Sequence, residues 1–63
     1  MSTYGRTYDI NLQVAESEEK DKKWSSAVYY YRKCLALTQE WEPQNNQKLD
    51  FLNRKIRECE SRK

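Results

Sequence analysis

Histidine is absent from this 63-residue chain, and glycine and proline occur once each. Without an imidazole there is no histidine general base, no Ser–His or Cys–His nucleophile pair and no imidazole metal ligand. One glycine, Gly5, is too few for a loop that cradles phosphate. Together with the lone Pro43 it is also too few for the many tight turns of an all-β architecture. The longest apolar run, Ala27-Val28-Tyr29-Tyr30-Tyr31, covers five residues, far short of the ~20 that a transmembrane helix requires. No apolar stretch follows the basic residue near the N-terminus, so a secretory signal is not expected. Cysteine is scarce as well: Cys34 and Cys59 stand 25 positions apart, and two ligands alone do not make a structural zinc site. The chain is therefore read as non-catalytic and as needing no cofactor.

Charge is abundant. Charged residues make up 35% of the chain against 37% hydrophobic ones, yet 12 basic and 10 acidic side chains leave a net charge of only +2. So small an excess gives no reason to expect a nucleic-acid partner. Its distribution is uneven: Lys48, Arg54, Lys55, Arg57, Arg62 and Lys63 dominate from residue 44 onward, while Asp9, Glu16, Glu18, Glu19 and Asp21 face only Lys20. Carboxylates at helical spacing, such as Glu18 and Asp21, read as solvated helix surface rather than as an acid–base pair.

The apolar residues recur with helical period. Tyr8, Leu12, Ala15 and Glu19 form one stripe at spacings of 4, 3 and 4 and predict a first helix over 8–21, preceded by a loose segment over 1–7. Ile10 and Val14 fall ~175° and ~135° from the middle of that stripe. A second helix is predicted over 24–41, where Trp24, Ala27, Val28, Tyr30, Tyr31, Cys34, Leu35, Leu37 and Trp41 fill an arc of about 180°. Such an arc suits a helix flanked on two sides. Tyr29 points away from it, among Arg32, Lys33, Ala36 and Glu40. Glu42-Pro43 ends the second helix, because the residue before proline avoids the α conformation. Asn45 and Asn46 are ready N-caps for a third helix to about Ser61, with the stripe Leu49, Leu52, Ile56 and Cys59. Phe51 sits ~120° off that stripe, beside Lys48 and Lys55.

Three helices with two short connections predict an all-α fold, an antiparallel up-down-up three-helix bundle with a small core. In that arrangement Cys34 and Cys59 differ in level by roughly 10 Å, at ~1.5 Å rise per residue, more than the ~7 Å a disulfide spans. Free, part-buried thiols in a reducing compartment are the expectation. Ile10, Val14, Tyr29, Tyr30, Leu37 and Phe51 lie at or beyond the stripe edges, where grooves open between neighbouring helices. Apolar grooves bordered by charge are what an amphipathic partner segment binds.

The segment Ala15-x3-Glu19-x4-Trp24-x2-Ala27-x3-Tyr31-x3-Leu35 resembles the MIT (microtubule-interacting and trafficking) domain, and more loosely a tetratricopeptide hairpin. Residues 24–35 look especially like the second MIT helix of katanin-type ATPases, and Asp50-Phe51-Leu52-Asn53-Arg54 is similar to the acidic-Tyr-Leu-Asp-Arg stretch of the family's third helix. Lys22-Lys23 stands where the family often has Gly-Asn or Gly-Asp, and Lys55 where it usually has a small alanine. The resemblance implies an adaptor domain over 8–63, carried by a larger host such as an AAA ATPase, a kinase or a protease. Its implied partners are the C-terminal tails of ESCRT-III-type proteins, and for katanin-like members tubulin or a regulatory subunit. It further implies a cytoplasmic, endosome-associated place, reaching membranes through partners only. On that basis Phe51, Tyr30, Leu37, Lys48 and Lys55 are expected to line a groove between helices 2 and 3, and Ile10 and Val14 one between helices 1 and 3. The apolar residues would take the partner's anchors and the lysines its carboxylates. The alternative is a structural tetratricopeptide-like unit that packs on its parent chain or on a second copy.

Overall fold

A computed structural model describes residues 3–63. Three helices follow one another: α1 (Tyr4–Lys20), α2 (Trp24–Trp41) and α3 (Asn46–Arg62), with no strand among the described residues. The fold is an all-α three-helix bundle. Short connections at 21–23 and 42–45 force each helix to reverse on the one before it. Contacts far apart in sequence follow that order: the Cys34 thiol approaches the Tyr8 carbonyl at 3.7 Å, and Arg32 pairs with Glu60 at 2.9 Å.

α2 is the central element and packs along both neighbours. Its buried residues Ala27, Val28, Tyr31, Cys34 and Thr38 span the wide arc expected of a helix with two partners. Around them close Tyr8 and Ala15 from α1 and Leu52, Ile56 and Cys59 from α3. Ala15 and Ala27 have no exposed surface, and their single methyl groups let α1 and α2 approach closely. Thr38 is the one buried polar side chain among the described residues, and its hydroxyl donates to the Cys34 carbonyl one turn earlier at 2.9 Å. Cys34 and Cys59 are buried free thiols. Burial raises both pKa values, that of Cys34 to about 11, which makes them inert packing residues.

The helix ends show why the chain turns where it does. Asn45 caps α3, its side-chain oxygen accepting from the Lys48 N–H at 3.1 Å. α1 ends in a Schellman motif: Lys23 N–H reaches the Glu18 carbonyl at 2.8 Å and Lys22 N–H the Glu19 carbonyl at 3.0 Å. That motif puts Lys22 in the left-handed region, at φ 62°, where a Cβ is strained and glycine is usual. Lys22→Gly is therefore expected to raise the unfolding free energy by about 0.5–1 kcal/mol, net of glycine's greater freedom in the unfolded chain. Urea denaturation measures it; an unchanged or lower midpoint would show that Lys22 carries no backbone strain.

Two expectations need correction. The first helix starts at Tyr4 rather than Tyr8, so residues 4–7 are helical instead of loose; Met1 and Ser2 lie outside the described residues. The first turn is held from outside: the Tyr4 ring stacks on Trp41 with centroids 6.0 Å apart and planes at 21°, and its hydroxyl donates to Glu42. Trp41, placed on the buried arc by its period, is instead 54% exposed and covers Tyr4 from the last turn of α2.

Candidate functional site

The seams between helices decide which exposed residues can act together. On α2, Arg32 pairs with Glu60 of α3, so that flank of α2 faces α3. Leu37 lies ~140° round from Arg32 and lines a cavity with Thr7 and Asn11 of α1. Tyr30 and Trp41 share the Leu37 flank. On α1, Glu19 faces α3, where its carboxylate accepts from Lys55 at 3.2 Å. Ile10 and Val14 lie ~180° and ~140° from Glu19, on the side of Thr7 and Asn11.

The seven expected site residues therefore divide differently from the expectation. Leu37 lines the α1/α2 cavity, with Tyr30 on the same flank of α2; Val14 and the exposed Ile10 lie further out on α1, beyond Thr7 and Asn11. Lys48, Phe51 and Lys55 belong to the α1/α3 seam, and none lies between α2 and α3. The cause is the hand of the bundle: each stripe edge turns toward the neighbour opposite to the one assumed.

The α1/α3 seam is closed by its own side chains. Lys48 Nζ donates to Glu42 at 2.8 Å and lies 4.4 Å from the Tyr8 ring centroid. Lys55 is bound to Glu19, whose other oxygen accepts from the Tyr31 hydroxyl at 2.6 Å. Phe51 is half-buried against the core between the two lysines. These lysines are engaged within the chain, so the expectation that they take a partner's carboxylates is not supported by their surroundings.

Glu42 gathers three donors, Lys48, Tyr4 and Asn45, at the α2–α3 connection. The Lys48 hydrogen bond, followed by those from Tyr4 and Asn45, holds its pKa down to about 2 from an ordinary 4.5. The same bond to Glu42 raises the Lys48 pKa. A carboxylate whose folded pKa is depressed stabilises the fold above its unfolded pKa and loses that contribution as pH falls toward its folded value. The melting temperature should consequently fall between about pH 4.5 and 2. Glu42→Gln should flatten that slope; a variant with the wild-type slope would remove Glu42 as its source.

The α1/α2 seam is different in kind. A cavity of about 280 Å³ opens there, lined by Thr7, Asn11, Lys33, Ala36, Leu37 and Glu40. That is below the ~300–1,000 Å³ of ordinary small-molecule sites, and it suits one or two side chains of a docked segment. The Tyr29 and Tyr30 rings meet edge to face beside it, with centroids 5.0 Å apart. The exposed large hydrophobic residues among those described, Ile10, Tyr29 and Trp41, are 53–54% exposed and all belong to α1 or α2, though none lines the cavity itself. Every buried side-chain polar atom among the described residues has a partner, so nothing inside the core awaits a ligand. No group of three or more His, Cys, Asp or Glu side chains among them could hold a metal ion.

Thr7, Asn11, Lys33, Ala36 and Glu40 were not singled out from the sequence. The usable signal was the i, i+3, i+4, i+7 series Thr7, Ile10, Asn11 and Val14, which makes a single half-apolar flank. No helix among the described residues is long and apolar enough to cross a membrane. No protein-family model, no curated protein and no solved structure matches this chain.

Proposed function

We propose that this domain is a non-catalytic protein-interaction module whose working surface is the α1/α2 seam. The supporting observation is the open cavity between α1 and α2, with the exposed Ile10, Tyr29 and Trp41 all carried by those two helices, while α3 contributes no large exposed hydrophobic residue. A single scattered apolar residue means little, but a contiguous set rimmed by polar groups marks an interaction site. The fitting partner is a short amphipathic segment. Its apolar anchors, one helical turn apart, would sit between Ile10 and Val14 on one side and Tyr30 and Leu37 on the other. The MIT resemblance makes the C-terminal tails of ESCRT-III-type proteins the partners of choice, in a cytoplasmic setting where the domain directs a larger host. Binding through so small a surface is weak per site and gains from multivalency.

Titration of labelled domain with such tail peptides, followed through amide shifts, tests this. The largest shifts are expected at Thr7, Ile10, Asn11, Tyr30 and Leu37, and Ile10→Asp is expected to weaken binding by tenfold or more, about 1.4 kcal/mol, without loss of helicity. Shifts centred on Phe51 and Lys55 would move the working surface to the α1/α3 seam. Silence toward every tail would exclude the partner class.

A further inference from the structure

We propose that a second copy of this chain docks on the α1/α2 face, forming an antiparallel two-fold dimer centred on Ala36 and Leu37. The inference rests on the reading of this face as the interaction surface and names an occupant for it. Lys33 and Glu40 stand seven residues apart on α2, about 10 Å along its axis and only ~20° apart around it. Both line the cavity. Neither belongs to an ion pair among the described residues; the Lys33 ammonium lies 5.0 Å from the Tyr29 ring centroid instead. One chain thus carries a cation and an anion, each without a counter-charge, on a single stripe two turns long.

A two-fold axis across α2 between residues 36 and 37 turns that stripe end for end. Lys33 of each copy then meets Glu40 of the other, because an isologous interface pairs i with j and j with i. The stripe complements itself. Ala36 is exposed and stands at the crossing point, where a single methyl lets two helices approach to the ~8 Å lower limit of helix packing. Tyr29, more than half exposed and in contact with Lys33, flanks the crossing and becomes covered.

Size sets the strength of the contact. Two helices ~25 Å long lying side by side present a face on the order of 500 Å² in projection, whereas a standard stable interface buries about 800 Å² per partner. The dimer is therefore weak and concentration-dependent, and a tail peptide competes with it for the same face.

Equilibrium sedimentation of the whole chain from about 10 to 500 μM, the range of a small interface, should show the mean mass rising from one chain toward two. Lys33→Glu and Glu40→Lys each replace two attractive contacts by two repulsive ones. Each should raise the dissociation constant about tenfold, and the double variant should bring it back to within about threefold of wild type. Both positions are exposed, and far-UV circular dichroism confirms that each variant remains helical. A monomer at every concentration overturns the inference, as does a dimer indifferent to the single reversals or not rescued by the double one. A chain that stays monomeric yet binds tail peptides through the Ile10 face refutes the dimer and leaves the interaction surface intact. A monomer with no such binding refutes both.

Discussion

Leu52→Ala is expected to remove roughly 2–5 kcal/mol and leave the chain largely unfolded at 25 °C. Leu52 has no exposed surface and lies in the middle of α3, in the cluster with Ile56 and Cys59. Truncation deletes three buried carbon atoms and leaves a void that rigid helices close only in part. A single core of this size seldom supplies more than about 3–5 kcal/mol in all, so one cavity can exhaust it. Circular dichroism during heating should show the cooperative transition of the parent chain replaced by a shallow slope. A variant that melts cooperatively within a few degrees of wild type would mean that the α2–α3 contact contributes little.

Tyr31 carries the second large effect. Its ring is fully buried on α2, and its hydroxyl donates to Glu19 of α1, which in turn accepts from Lys55 of α3. Glu19 thus ties all three helices at one level, and Tyr31 is its link to α2. Burial, and then the bond to Glu19, raises the Tyr31 pKa, so the phenol remains a donor at any ordinary pH. Tyr31→Ala should cost about 3–5 kcal/mol through loss of the ring. Tyr31→Phe should cost about 1–2 kcal/mol, since it removes one bond to a charged acceptor and keeps the packing. Combining Tyr31→Phe with Glu19→Gln should cost measurably less than the sum of the single changes, as expected for residues in one network. Strict additivity would separate the hydroxyl from the Glu19–Lys55 pair.

The elements of the fold were legible because their signals are local. The 3.6-residue period of the α2 residues, the Pro43 stop and the Asn45 cap need no knowledge of the rest of the molecule, and α2 and α3 lie where those signals put them, α3 running one residue further. The start of α1 was not legible for the converse reason. Nothing near Thr3 caps it, and the partners that hold its first turn, Trp41 and Glu42, are 37 and 38 residues away.

The candidate site divides along the same line. Period alone identified Ile10, Val14, Tyr30 and Leu37 as apolar residues left over at the edges of their stripes, and of these Leu37 lines the α1/α2 cavity. It also identified Lys48, Phe51 and Lys55 as one flank of α3. What period does not contain is the hand of the bundle. A helix with a 180° apolar arc has two edges, and exchanging its two neighbours leaves the pattern of buried residues unchanged. Only the packed structure assigns the Leu37 edge of α2 to α1 and the Arg32 edge to α3. That choice fills the α1/α3 seam with Lys48, Lys55, Glu19 and Tyr31, and leaves an open cavity in the α1/α2 seam. The sequence by itself determined three amphipathic helices, their order and their surplus of apolar edge residues, because these follow from spacing along one chain. The tertiary structure decided which edges meet, because that depends on side-chain fit among three helices at once.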